Sequence, residues 1–149
     1  MNWEQIKNKL SNHFTLNEIN EGVKVKVYFN LHKKLFSVTS GQGENYGRLL
    51  FHTDSITIDD VKFSVGQKGR QRVLEEKKKN VHAFCYGTLK EKNINDIVVH
   101  KAVTYNPYTA NHFYNVTDNN KIETCQHLVM RVINQKGRLW TGIKNEKKK

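Results

Sequence analysis

The sequence predicts an α+β domain that is mainly β: an antiparallel barrel or two-layer sandwich of about nine or ten short strands around one internal helix. Three observations carry this. Apolar and polar residues alternate in several short runs, most clearly Val23, Val25, Val27 and Phe29 against Lys24, Lys26 and Tyr28. Turn-forming clusters separate such runs at Asn106-Pro107, Asp118-Asn119-Asn120 and Gln135-Lys136-Gly137. Strand formers nearly vanish in one stretch, Gln67 to Asn80, where Arg, Gln, Leu, Glu and Lys accumulate in good helix-forming order.

Taken in order, residues 1–20 predict an amphipathic helix, because Trp3, Ile6, Leu10 and Phe14 recur at spacings of three and four. Such a helix docks on its own core or on a second copy of the chain, giving a homo-oligomer. A single β-rich domain follows over 21–143, since 149 residues with 37% hydrophobic content suit one core. Val23 to Phe29 and Leu35 to Thr39 are strands joined by a polar turn, and Ser40 to Tyr46 has the composition of a loop. Arg48 to His52, Ser55 to Ile58 and Val61 to Val65 continue the meander, with Asp59-Asp60 read as a turn.

The internal helix is expected over about 67–79, with Asn80 ending it. Val81 to Leu89 (VHAFCYGTL) reads as a strand buried on nearly both faces. Ile97 to Tyr105, His112 to Val116, Leu128 to Ile133 and Leu139 to Ile143 complete the set, and 144–149 form a solvated basic tail.

Charge carries the functional reading. Twenty-five Lys and Arg against 14 Asp and Glu give a net charge of +11, more than solubility demands. The excess is clustered: residues 24–52 hold five basic side chains and one acid, and residues 62–79 hold seven and two. In the first cluster His32, Lys33 and Lys34 sit at a strand junction, followed by Arg48. In the second, Arg70 and Arg72 lie at a helix start marked by Gly66 and Gly69, where guanidinium forks can meet an anion that glycine lets approach.

Tyr28, His32, Phe36, Tyr86, Tyr105 and Tyr108 include rings that alternation pushes off the core. Exposed rings on a positive surface hold single strands or nucleotides by phosphate attraction and base stacking. The expected ligand is therefore nucleic acid or an anionic nucleotide, with Lys33, Lys34, Arg48, Arg70 and Arg72 on phosphates and His32, Tyr105 or Tyr108 on a base. A protein with an acidic surface is a further partner class.

Catalytic motifs are missing. The seven histidines show no H-x-x-x-H spacing, and Cys85 and Cys125 form no C-x-x-C pair, so no metal is expected. A trio of His32, His52 and His82 is the alternative reading, a metal-independent ribonuclease-like hydrolase. Gly41-x-Gly43-x-x-x-Gly47 is one residue too long for a dinucleotide loop, and no cofactor is expected. Without a signal peptide or membrane span the chain is expected in the cytoplasm, away from membranes, with Asn115-Val116-Thr117 unglycosylated.

Several blocks resemble a group of small phage and prophage proteins: Asn30-Leu31-His32-Lys33 with Phe36-Ser37-Val38, Gly47-Arg48 with His52, GRQRVLEEKKKNVHAF from Gly69 to Phe84, and Tyr105-Asn106-Pro107-Tyr108. The resemblance spans roughly residues 23–115. It implies a phage origin and no particular activity. By analogy with small basic phage proteins, it also implies action in the host by binding nucleic acid, a nucleotide immune signal or a defence protein.

Overall fold

The computed structural model describes residues 22–90 and 96–145. Among the described residues nine strands form one sheet: β1 (Val23–Asn30), β2 (Leu35–Ser40), β3 (Leu49–Thr53), β4 (Ser55–Val65), β5 (Ala83–Leu89), β6 (Ile97–Thr104), β7 (Tyr114–Asn115), β8 (Thr124–Ile133) and β9 (Lys136–Lys144). One helix, α1 (Gln67–Glu76), joins β4 to β5. The order across the sheet is β3-β2-β1-β5-β4-β8-β9-β6-β7, and every neighbouring pair is antiparallel.

The predicted barrel or two-layer sandwich is corrected to a single open, curled sheet. Its edges, β3 and β7, do not pair with each other, and β7 offers only two residues for closure. Nor does the sheet split into layers. Asp59-Asp60, read as a turn, is instead a bulge within the 11-residue β4, which pairs with β5 on one side and β8 on the other. Asp60 sits in the left-handed region at φ 51°, and the buried Asp59 meets His127 Nδ1 at 2.7 Å. A bulge strengthens local twist and bends the strand, which helps the sheet wrap around its own core.

The curl is visible at Gly137 in β9. In a flat sheet, five strand spacings would separate β9 from β2 by about 24 Å. Yet a Cβ added to Gly137 would lie 2.6 Å from Phe29 Cδ1 and 3.0 Å from Phe36 Cζ. The concave face thus encloses one cluster in which Val25, Val27, Phe36 and Val38 join Ile56, Ile58, Leu128 and Met130. Gly137→Ala is expected to destabilise the fold by about 1–3 kcal/mol, because Phe29 and Phe36 must shift. Urea unfolding measures this, and an unchanged midpoint would contradict the close packing of β9 on β1 and β2.

The strand hairpin β8–β9 turns at Asn134-Gln135, both at positive φ, one step before the predicted Gln135-Lys136-Gly137. Helix α1 ends earlier than expected, at Glu76. Lys77 takes the left-handed conformation (φ 56°), and its N–H closes on Val73 O at 3.1 Å. A left-handed residue of this kind closes the last turn and stops the helix there. The amphipathic helix expected over 1–20 lies outside the described residues, as do residues 146–149 of the basic tail. Among the described residues no helix is long and apolar enough to cross a membrane.

Candidate nucleic-acid interface

Alternation in β1 puts Val23, Val25 and Val27 into the core and sends Lys24, Lys26 and Tyr28 to the convex face. Register then builds a row across this face: Lys26 opposes Tyr86 of β5, and Tyr86 opposes Lys62 of β4. Residues directly opposite in a sheet share one face, so these side chains are neighbours. Lys24 opposes Thr88, and Phe84 opposes Ser64. Strand β5 is therefore not buried on both faces as predicted. Cys85 and Leu89 point inward, while Phe84 and Tyr86 stand half-buried outside.

Lys26 is the centre of the face. Its Nζ lies 4.1 Å from the Phe84 ring centroid, 5.4 Å from that of Tyr46 and 5.7 Å from that of Tyr86. Tyr28 meets Phe84 edge-on at 6.0 Å. Tyr46, 51% exposed in the β2–β3 loop, hydrogen-bonds Tyr86 hydroxyl to hydroxyl at 3.0 Å. That bond, opposed by burial and assisted by Lys26, lowers the Tyr46 hydroxyl below the usual phenol range. Burial pushes Tyr86 up to about 12, its partner Tyr46 acting in the same direction. Four rings and three lysines thus share one surface, with Lys24 and Lys62 exposed.

A second concavity lies at the end of the curled sheet. The cleft has a volume of about 370 Å³, and Phe29, Leu31, Val73, Val81, Pro107 and Tyr108 form its apolar lining. Polar atoms enter at Lys79, Asn80, His82 and Tyr105. His82 is buried with both ring nitrogens engaged: Nδ1 faces Asn80 O at 3.2 Å and Asn80 Oδ1 at 3.0 Å, and Nε2 faces the Tyr105 hydroxyl at 2.7 Å. Asn80 is itself fixed by donating Nδ2–H to Gly69 O at 3.2 Å. Gly69 is needed for that approach, since a Cβ there would lie 2.5 Å from His82 Cβ. Its role is helix-to-strand packing rather than approach of a ligand. Burial raises the Tyr105 hydroxyl above the usual range, against a smaller opposing pull from Arg70.

The residues singled out from sequence divide between these two regions. Tyr105 and Tyr108 line the cleft. His32, Lys33 and Lys34 are exposed on the β1–β2 turn. Asn30 Oδ1 pins that turn by accepting the N–H groups of His32 and Lys33, each at 3.0 Å, while Lys34 N–H closes on Asn30 O at 2.8 Å. Arg48 is exposed in the loop that carries Tyr46. Arg72 is exposed on α1, but Arg70 is committed to the fold: its Nε donates to Pro107 O and Ala110 O, both at 3.0 Å.

Sequence reasoning left Lys26, Phe84 and Lys62 unmarked, although the alternation of β1 and the already noted Tyr28 and Tyr86 pointed toward them.

The three histidines keep separate partners, and no hydrogen bond or ring contact joins any two of them among the described residues. His52 Nδ1 meets Ser37 Oγ at 3.0 Å, but Ser37 is wholly buried, so its hydroxyl has no path to a substrate. Burial and then Lys33 hold the His52 imidazole below its usual range. His32 lies in the exposed turn and His82 in the cleft floor. Among the described residues no three His, Cys, Asp or Glu side chains gather as a metal site.

The cysteines are unpaired thiols. Burial drives Cys85 far above the usual range, and burial pushes Cys125 up to about 12. Thiolate is the reactive form. Near neutral pH, thiol alkylation followed by mass spectrometry is therefore expected to label neither cysteine until the protein is unfolded. Rapid labelling of Cys125 in the folded protein would contradict this.

The sequence blocks around this basic, ring-bearing face have phage relatives. The family model of the Mycobacterium phage L5 gene 82 protein matches residues 18–137, so the chain belongs to that phage protein family. The gene 82 protein of Mycobacterium phage L5 itself is 33% identical over 97 residues, covering 61% of this chain and 76% of that protein. The phage resemblance read from the blocks of residues 23–115 is borne out over a longer span. No solved structure matches the chain.

Proposed function

We propose that this phage protein is a non-enzymatic binder of single-stranded nucleic acid, and that the convex face of β1, β5 and β4 is its interface. The observation that carries the reading is Lys26 set among the rings of Tyr46, Phe84 and Tyr86. Lysines attract the phosphate backbone, and rings offer stacking surfaces to any base, each stacked base contributing about 1–3 kcal/mol. Lys24 extends the positive surface along β1, Lys62 carries it across to β4, and Lys33 and Lys34 extend it onto the β1–β2 turn. Phage origin favours action in the host cytoplasm, keeping nucleic acid or a nucleotide from a host defence protein.

Fluorescence anisotropy with a labelled single-stranded oligonucleotide tests this. If those five lysines each neutralise one phosphate, affinity should fall about 100-fold between about 50 and 200 mM salt. A flat salt profile, or no binding at the lower salt, would overturn the reading.

A further inference from the structure

We propose that the cleft between α1, the β1–β2 turn and the β6–β7 connection is a separate pocket for one nucleobase that presents an N–H donor, with its phosphate among the rim lysines.

The direction of the hydrogen-bond chain in the floor carries this. Asn80 spends its amide N–H on Gly69 O, so the side-chain oxygen and the backbone oxygen of Asn80 both face His82 Nδ1 as acceptors. In the neutral imidazole, Nδ1 must therefore hold the proton and Nε2 must accept. Tyr105 then donates its O–H to Nε2 across 2.7 Å. The phenol proton is spent, and the lone pairs of the Tyr105 oxygen are left to accept. A ligand group that meets this oxygen must bring a proton of its own, as the exocyclic amine of adenine does. One that cannot leaves the acceptor desolvated and unmatched.

The walls and rim fit the rest of a nucleotide. Leu31, Val81 and Tyr108 are 43%, 39% and 65% exposed, and all three converge on this one cleft. Pro107 and the Tyr108 ring offer flat apolar surface beside a floor of Phe29, Val73 and Ala83. A volume of about 370 Å³ stands at the small end of ligand pockets, enough for a single base and sugar. The charged side chain in the lining is Lys79; Lys77 and Lys78 precede it in an exposed run, and Lys33 and Lys34 follow Leu31 on the facing turn. An apolar slot with the Tyr105 oxygen as acceptor and Lys79 in its lining complements a base carrying a phosphate.

Apart from Lys33 and Lys34, which flank both, this pocket shares no residue with the sheet face. A mononucleotide, with its single phosphate and no neighbouring bases, reads the cleft, whereas the oligonucleotide salt slope reads the face. Either result can fail while the other holds.

Calorimetry and thermal shift with AMP and with purine riboside 5′-monophosphate, which has the same ring without the amine, test the proposal. AMP should bind about tenfold more tightly than the purine nucleotide, one hydrogen bond's share of selectivity. Tyr105→Phe should abolish that preference, leaving the two equal. Tyr108→Ala, a change at an exposed rim residue that leaves the folded core intact, should weaken AMP about tenfold or more. A 260 nm absorbing nucleotide that copurifies with the protein and is displaced by AMP would support the pocket, whether it arrives free or at the end of a strand. The proposal is overturned if AMP, CMP, GMP and UMP all fail to shift the melting temperature. It is equally overturned if Tyr105→Phe keeps the full preference for AMP.

Discussion

Lys26→Glu is expected to weaken single-stranded oligonucleotide binding by about tenfold or more at low salt. The substitution removes the ammonium held over Phe84, Tyr46 and Tyr86 and puts a carboxylate where the strand's phosphates would pass. Its cost to the fold should be small. Lys26 is on the convex face, half-buried, and contacts of a cation with ring faces contribute between about 0.5 kcal/mol where exposed and about 2 where desolvated. Affinity and stability should therefore separate: a large loss of binding with a melting temperature close to that of the parent. Tyr86→Ala should also lower affinity about tenfold by removing a stacking surface. Its salt slope should stay unchanged, whereas Lys26→Gln should make the slope shallower by about one phosphate's share. A Lys26→Glu variant that binds as tightly as the parent would remove the convex face from consideration.

Arg70→Ala is expected to show the opposite pattern, losing stability first. Arg70 Nε–H is shared between Pro107 O and Ala110 O, tying α1 to the loop that carries Tyr108, and a hydrogen bond from a charged donor contributes about 1.5–3 kcal/mol. The variant should lose about that much, about 1.5–3 kcal/mol, in urea unfolding. Amide exchange at Thr109 and Ala110, whose N–H groups both close on Asn106 O, should speed up as the turn loosens. Had Arg70 been a phosphate ligand, as its place at a glycine-marked helix start suggested, the variant would keep its stability and lose affinity. Arg70→Lys should recover little, because the flexible lysine stem has no N–H at the place where Arg70 Nε–H is shared between the two carbonyls.

These two residues show what the sequence could and could not disclose. The strands were legible where chemistry alternated sharply, as in the Val-Lys-Val-Lys run of β1. In β5 the same alternation was hidden, because Phe84 and Tyr86 are apolar in composition yet stand on the outer face beside Lys26. Hydrophobicity alone cannot distinguish an aromatic ring in the core from one serving a surface. The Asp59-Asp60 pair carried turn chemistry, but a left-handed residue also makes a bulge, and only pairing with β8 decides between them. The single open sheet was illegible for a related reason. Local patterns give strands, whereas strand order depends on contacts such as Gly137 on Phe29, more than a hundred residues apart in the chain.

For the site, the basic clusters were visible as composition, and Tyr105 and Tyr108 were found by their position outside the alternation. Arg70 was misplaced because its true partners lie 37 and 40 residues away. His82 attracted a catalytic alternative because an isolated histidine in a sequence does not reveal that Asn80 and Tyr105 already occupy its two nitrogens.

The central claim is that the convex face of β1, β5 and β4 takes up nucleic acid. An NMR titration of isotopically labelled protein with a single-stranded oligonucleotide tests it most directly. The largest shifts are expected at Lys24, Lys26, Tyr46, Lys62, Phe84 and Tyr86, fading as salt is raised. Shifts confined to other surfaces, with these six residues unmoved while the oligonucleotide is bound, would contradict it.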